Sequence, residues 1–471
     1  MENAALKVLK NIDINSIESI CIVCSKGNNG GDGFALARQL FVLGKRVECF
    51  LIGSEEGMSK DCQINYEIIQ KLGITSYNLE SDKDTEKLIK SLNSSEIVID
   101  AIFGTGLVRK IEGIYDTVIT LINESNKYIL SIDIPSGMNS DTGETLGNSI
   151  KADTTITFQL YKKGFLRYGS DKFTGKVILE EIGIPSSAVE MFHEKEYFVD
   201  AAMIKEVIKK RDKYSHKGNF GRVLIIAGSK GYSGAAYIST TAAVKSGAGL
   251  VTLACAEDIQ GSLCNRLTEA MTSVYSDEER LNELIDKSDA IAIGPGMGNC
   301  GGTLKILEKV LNRASCPVVI DADGLNVLEK HMDLIQNRKF PLVLTPHPGE
   351  LSRLTGYSTE YIIGNRLEVA GEFAKKHKVT LLLKGYNTIV ADMDRLYVNS
   401  TGNSAMASGG MGDCLTGILT SLIGQGYEGT TAAYVAAYIH GYSGDKLSER
   451  QFSVNASELM EYLPYAIKEL Q

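Results

Sequence analysis

Residues 19–34 read Ser19-Ile-Cys-Ile-Val-Cys-Ser-Lys-Gly-Asn-Asn-Gly-Gly-Asp-Gly-Phe34, and the fold follows from how that stretch is read. It begins with an apolar, β-branched run at 19–25. A Gly- and Asn-rich turn follows, then an amphipathic pattern at 34–43 that stops at Gly44. Strand, glycine turn and glycine-closed helix form the repeating unit of a parallel sheet covered on both faces. Outward from it the alternation continues, with strands predicted at 46–52, 96–103 and 128–134 and helices at 58–72 and 115–125. Runs at 154–160 and 176–182 extend the same sheet.

A charged stretch of weak periodicity around 191–200 interrupts the pattern, and a second alternation follows it. Its strands are predicted at 221–227, 250–255, 290–293, 317–321, 341–345, 379–383, 387–392 and 395–399. Its helices are predicted at 235–246, 304–311, 365–377, 413–423 and 430–447. A boundary near residue 198 divides the 471 residues into two α/β domains, 1–198 and 199–471.

With 44% hydrophobic and 23% charged residues, each half can build a sizeable core. A net charge of -9 argues against nucleic-acid or anionic-membrane partners, so phosphates must be held locally by backbone N–H groups at helix starts. No run reaches the ~18 to 20 apolar residues of a membrane span. Met1-Glu-Asn-Ala-Ala5 has neither the basic nor the apolar region of a signal peptide. Nine scattered cysteines, an odd number without framework spacing, fit a reducing cytoplasm. Cys21 and Cys24 form a CxxC, but positions three apart on a strand point to opposite faces, so they read as core thiols. No other Cys/His cluster has zinc spacing.

Three strand ends are polar and Gly-rich: Lys26-Gly-Asn-Asn-Gly-Gly-Asp-Gly33, Asp100-Ala-Ile-Phe-Gly-Thr-Gly106 and Asp133-Ile-Pro-Ser-Gly137. In a doubly wound sheet ligands sit outside the carboxyl ends of the strands, so the three define one crevice. The glycines let N–H groups approach a phosphate, and Asn28, Asn29 and Asp32 add oxygens for a cation or a ribose. The spacing is not GxGxxG, and a tight turn with Asx capping is the alternative for each motif alone. Asp100 and Asp133 would repel a pyrophosphate unless a cation intervenes or they do acid–base work.

GNNGGDGF, DAIFGTG and SIDIPSGMNSDTG, in that order, resemble the motifs of the NAD(P)H-hydrate epimerase family. The resemblance implies a Rossmann-like three-layer αβα domain that epimerises C6 of hydrated NADH or NADPH with a bound potassium ion, K⁺. It implies dinucleotide contacts from Asn28, Asn29, Gly30, Gly31 and Asp32, and from Gly104, Thr105, Gly106, Leu107, Val108, Arg109 and Lys110. Asp133 falls at the reacting ring as acid/base, while Asn29, Asp100 and Ser136 would hold potassium. Family members usually carry a helical segment before the Met-Glu-Asn-Ala motif. Here that motif is residues 1–4, so an N-terminal helix, on which the epimerase site and any dimer it supports would bear, is expected to be missing.

In the second half, Asn403-Ser-Ala-Met-Ala-Ser-Gly-Gly-Met-Gly-Asp-Cys-Leu-Thr-Gly417 leads into an apolar helix. Glycines before a helix create an anion hole of N–H groups, and Asp413 is placed there as a base. Its alternative is a plain helix cap. The Gly-Gly-x-Gly-Asp arrangement resembles the anion hole of the ribokinase-like superfamily. Further motifs at 215–221, 227–236, 294–298 (GPGMG), 321–326 (DADGLN), 345–351 (TPHPGEL) and 383–385 (LKG) together resemble the ADP/ATP-dependent NAD(P)H-hydrate dehydratase family. That resemblance implies that Ala235, Gly296, His347 and Asp413 face the hydrated nucleotide. Lys384, Gly385, Tyr386, Asn387, Thr388 and Gly412 would hold the adenosine phosphate, with Mg²⁺. Met411 stands where Ser or Thr is usual, which removes a hydroxyl but keeps the backbone N–H. His347, between two prolines, is expected to contact substrate more than to transfer protons, and His440 reads as a packed helix residue.

The combined expectation is a cytoplasmic, homo-oligomeric repair enzyme acting on small molecules. One half would interconvert the C6 epimers, and the other would dehydrate the S epimer with ADP or ATP. The rival is a ribokinase-like small-molecule kinase carrying a non-catalytic N-terminal binding module.

Overall fold

The run at 19 becomes β1 (Ser19–Cys24), and every residue of it is buried. The computed structural model describes residues 1–192, 194–336 and 338–471, in two compact units, 1–193 and 194–471. In the first unit β1 lies beside β2 (Arg46–Ile52), β3 (Thr75–Leu79), β4 (Ile97–Ala101), β5 (Tyr128–Ile132), β6 (Thr154–Phe158) and β7 (Lys176–Glu180). The order is β3-β2-β1-β4-β5-β6-β7, parallel throughout. Because both faces are covered, alternate residues of β1 enter different cores. Ile20, Ile22 and Cys24 pack on one side, Cys21 and Val23 on the other. The two thiols of the CxxC therefore point apart, and burial pushes Cys21 up to about 12.

Among the elements that differ from expectation, two bear on the first crevice. Residues 2–10, for which no helix was predicted, form α1 (Glu2–Lys10), which buries Ala4, Ala5 and Val8. Lys7 and Lys10 tie it to Glu180 at the end of β7, at 2.9 and 2.8 Å. The helix expected at 34–43 is α2 (Asn28–Val42), so the Gly-rich stretch is its first turns and not a loop. Glycine serves close approach there. A Cβ on Gly30 would stand 1.9 Å from the Ser25 carbonyl oxygen, and one on Gly33 2.6 Å from Ala101 Cβ.

The second unit holds β8 (Glu196–Val199), β9 (Arg222–Ile226), β10 (Leu250–Cys255), β11 (Met271–Val274), β12 (Ala290–Ile293), β13 (Val318–Ile320), β14 (Leu342–Leu344), β15 (Thr380–Leu383), β16 (Ile389–Ala391) and β17 (Leu396–Asn399). Their order is β11-β10-β9-β12-β13-β14-β15-β16-β17-β8. Among the described residues only the β15–β16 and β16–β17 pairs of this sheet are antiparallel. The division falls at 193/194, ahead of residue 198, because β8 pairs with β17 and belongs to this sheet. The strand order reverses beside β1 in the first sheet and beside β9 in the second. Such a reversal opens a crevice at the strands' carboxyl ends. No helix among the described residues is long and apolar enough to cross a membrane.

Candidate functional site

In the first unit a crevice of about 660 Å³ lies at the β1/β4 reversal. Asn28, Asn29 and Asp32 of α2 line it, with residues 104–109 after β4 and Asp133 after β5. Gly30, Gly31 and Lys110 do not. Gly30 faces the Ser25 backbone, Gly31 faces Met1 and Cys62, and Lys110 is exposed outside the lining. The helix starting at Asn28 turns the two glycines inward. Tyr115, which no motif marks, also lines the crevice and packs on Phe103 with ring centres 4.9 Å apart.

Asp133 adopts φ 65°, the left-handed region that Asp tolerates better than most residues. Its Oδ1 accepts from Thr157 Oγ1 and Phe158 N, both at 3.2 Å, and lies 2.9 Å from Lys162 Nζ. Lys162 was not singled out in the sequence. It is one of two adjacent lysines after β6, and only the fold selects it. Oδ2 of Asp133 carries none of these contacts. Across the crevice burial pushes the Asp32 carboxyl up to about 7, against the Met1 ammonium and together with repulsion from Asp133.

Asp100 is fully buried at the end of β4. Its Oδ1 accepts from Ile102 N and Ser136 Oγ, and its Oδ2 from Ser131 Oγ and Ser136 N, at 2.5–3.2 Å. Burial still raises it. Asn29 is buried too, yet neither atom of its amide has a hydrogen-bond partner. An orphaned carboxamide near a saturated carboxylate fits a monovalent cation held by neutral oxygens. Asp100 and Ser136 are already engaged with each other.

In the second unit the ends of β13 and β15 meet the start of the helix Met411–Gly424, through Asp321 with Thr416 and Lys384 beside Gly412. Gly410 is its N-cap at φ 88°, a left-handed conformation that glycine supplies. No side chain caps it. Asp413 lies in the first turn, partly buried, with no hydrogen bond or ion pair among the described residues. Burial, then repulsion from Asp321, push its carboxyl up to about 7, with Lys384 opposing. Gly296 and Ala235 are neighbours, since a Cβ on Gly296 would stand 2.9 Å from Ala235 Cβ.

His347 caps the helix Pro348–Thr355. Its Nδ1 accepts from Gly349 N and Glu350 N at 3.0 and 3.3 Å, while Glu350 Oε2 accepts from His347 N at 2.8 Å. With Nδ1 so occupied the ring proton belongs on Nε2, and burial holds the imidazole below its usual range. The ring can donate to a ligand but is poorly placed to accept a proton. The expected phosphate loop divides in two. Lys384 turns inward, with Nζ 2.7 Å from Asp321 Oδ1, while Gly385, Tyr386, Asn387 and Thr388 form a loop on the surface side. Arg366, unmarked in sequence, fastens that loop by donating to the carbonyls of Tyr386, Leu383 and Lys384. Gly412 follows Met411, whose side chain is buried. Burial pushes the packed His440 imidazole down to about 4, so it is neutral.

Residues 223–465 match the family model described as NAD(P)H-hydrate dehydratase, and residues 1–164 match the YjeF-related protein N-terminus. The bifunctional NAD(P)H-hydrate repair enzyme of Moorella thermoacetica is 38% identical over all of this chain and 92% of its own length. Its counterpart in Thermofilum pendens is 36% identical at the same coverage. Among solved structures, the ADP/ATP-dependent NAD(P)H-hydrate dehydratase of Bacillus subtilis, co-crystallised with ATP/Mg²⁺, is 31% identical at a TM-score of 0.54. It covers 58% of this chain and 99% of that one. A ribokinase-like superfamily protein of Enterococcus faecalis gives 29% and 0.55, covering 59% and 97%.

Proposed function

The chain belongs to the bifunctional NAD(P)H-hydrate repair enzymes, and on that premise we propose how its two crevices divide the work. The N-terminal crevice epimerises C6 of hydrated NADH or NADPH. The C-terminal site dehydrates one epimer at the expense of ADP or ATP. The observation that carries this reading is Asp413, an unpartnered carboxyl raised to about 7 in the first turn of a helix. A carboxyl so poised is a general base near neutral pH.

In the dehydration, Asp413 takes the proton of the C6 hydroxyl as its oxygen attacks the terminal phosphoryl group of the nucleotide. N–H groups of the Gly410–Gly412 turn receive the developing charge. The C6–O bond then breaks, phosphate leaves with that oxygen, and the C5 proton passes to the departing phosphate as the ring double bond returns. No group of three or more His, Cys, Asp or Glu among the described residues could hold a metal ion. Mg²⁺ would therefore be bound chiefly by the nucleotide's own phosphates, where it neutralises charge. In the epimerisation, Asp133 protonates the departing C6 hydroxyl and deprotonates the water that returns to the other face. Asn29 would hold potassium, with Asp100 and Ser136 behind it. Nine free cysteines support a reducing, cytoplasmic setting.

The test is the intact chain with a mixture of hydrate epimers and either nucleotide. Reduced dinucleotide and inorganic phosphate should form together until both epimers are consumed, faster with potassium than with sodium. A phosphorylated product that accumulates would make the chain a kinase instead. A second outcome concerns the division. Separate expression of 1–193 and 194–471 should give two folded pieces, because each has its own sheet and core. Dehydration should stay with the second piece and epimerisation with the first. Loss of dehydration in a folded second piece would overturn this assignment.

A further inference from the structure

Asp321, at the end of β13, has a fully buried carboxylate. Its Oδ1 accepts from Lys384 Nζ and its Oδ2 from Thr416 Oγ1, each at 2.7 Å. Lys384 follows β15 and also lies 3.5 Å from Glu350 Oε2. Thr416 sits one turn beyond Asp413 on the same helix. A Cβ on Gly412 would stand 3.6 Å from Lys384 Nζ, so the ammonium lies beside the glycine turn that precedes Asp413. One carboxylate thus fixes a cation on one side of that turn and the helix bearing Asp413 on the other.

A buried ion pair is weak evidence for stability, because desolvating both charges offsets most of their attraction. Stability alone does not explain a pair aimed at an anion hole. We propose that Asp321 is a positioning residue for the dehydration. Through its two oxygens it holds the Lys384 ammonium beside the transferring phosphoryl group and keeps Asp413 in register with it. This rests on the assignment of Asp413 as the base. Lys384 then acts on the charge that develops during transfer, which raises kcat, more than on nucleotide in the ground state.

The test uses the full chain. Asp321→Asn keeps volume and one acceptor oxygen, and its kcat for dehydration should fall about tenfold to hundredfold, as for other groups that orient a reacting side chain. Nucleotide affinity by calorimetry should stay close to that of the native chain, a split that mere loosening would not produce. Because an unpaired buried lysine can destabilise the fold, Asp321→Asn/Lys384→Met serves as the second variant. It should unfold at or above the native temperature and remain at least as slow as the single variant. Native kcat in folded Asp321→Asn overturns the proposal, and so does recovery of rate in the double variant. Asp413→Asn separates the two levels. If it turns over normally the base assignment fails. If it is inactive while Asp321→Asn is normal, only the positioning role fails.

Discussion

Asp413→Asn is expected to fold and bind nucleotide as the native chain does while its dehydration rate falls by at least about 10²- to 10⁴-fold, the usual worth of a general base. If Asp413 were only a cap, asparagine would replace it almost without cost. The cap position is Gly410, however, and no side chain bonds to the N–H groups of that turn. The charge lost is the one whose titration is shifted, and it leaves a pH signature. A base held at about 7 works when deprotonated, so it is active above that pH and lost below it. In the native chain kcat/KM for the hydrate should fall about tenfold per pH unit below this value, since that ratio reports the free enzyme's groups. The residual rate of Asp413→Asn should lack this limb. A native-like rate in the variant, or the same limb in it, would show that another group takes the proton.

Much of both sheets was legible because parallel strands buried on both faces are nearly continuous apolar runs. β1 and β4 are buried at every position, and the runs at 19–25 and 96–103 announced them. The strands that escaped lie at sheet edges. β3 reads Thr-Ser-Tyr-Asn-Leu with only its last residue buried, β8 begins with Glu196, and β11 is four residues long with a single buried residue. An edge strand is made by its neighbour's hydrogen bonds, and its own side chains carry little signal. The start of α2 was hidden for another reason. Each glycine disfavours helix by about 1 kcal/mol, yet Gly30 and Gly33 are required where the helix backbone touches β1 and β4. Tertiary contact overrode propensity there.

The site divides in the same way. Asp100, Asp133, His347 and Lys384 stand at strand ends, where alternation alone locates functional groups. What the spacing could not show is which groups face one another. Lys162 meets Asp133 from 29 residues away in sequence, and Lys384 meets Asp321 from 63. Arg366 fastens the 384–388 loop from a helix with no motif. Such partners are chosen by strand order, which one sequence records only indirectly. Lys384 is the instructive case. Its place in the chain matched a nucleotide-holding lysine, but its side chain is turned to two buried carboxylates.

Epimerisation is expected to depend on Asp133, as dehydration is expected to depend on Asp413, and on nothing in the second unit. Asp133→Asn is the informative change, because asparagine also tolerates the φ of 65° that alanine would strain. It keeps an oxygen for Thr157 and Phe158 and removes only the charge facing Lys162 and the crevice. Interconversion of the epimers, followed by chromatography, should fall by about 10²- to 10⁴-fold towards the rate without enzyme. Dehydration of the accepted epimer, assayed on the same sample, should be unchanged. On the epimer mixture the two expectations combine. Native chain with nucleotide consumes everything, whereas Asp133→Asn consumes the accepted epimer quickly and then slows to the uncatalysed interconversion. If Asp133→Asn epimerises normally, Asp133 holds the turn and does no proton transfer. The other carboxyl on that crevice, Asp32, raised by burial to about 7, would then be the group left to carry the proton.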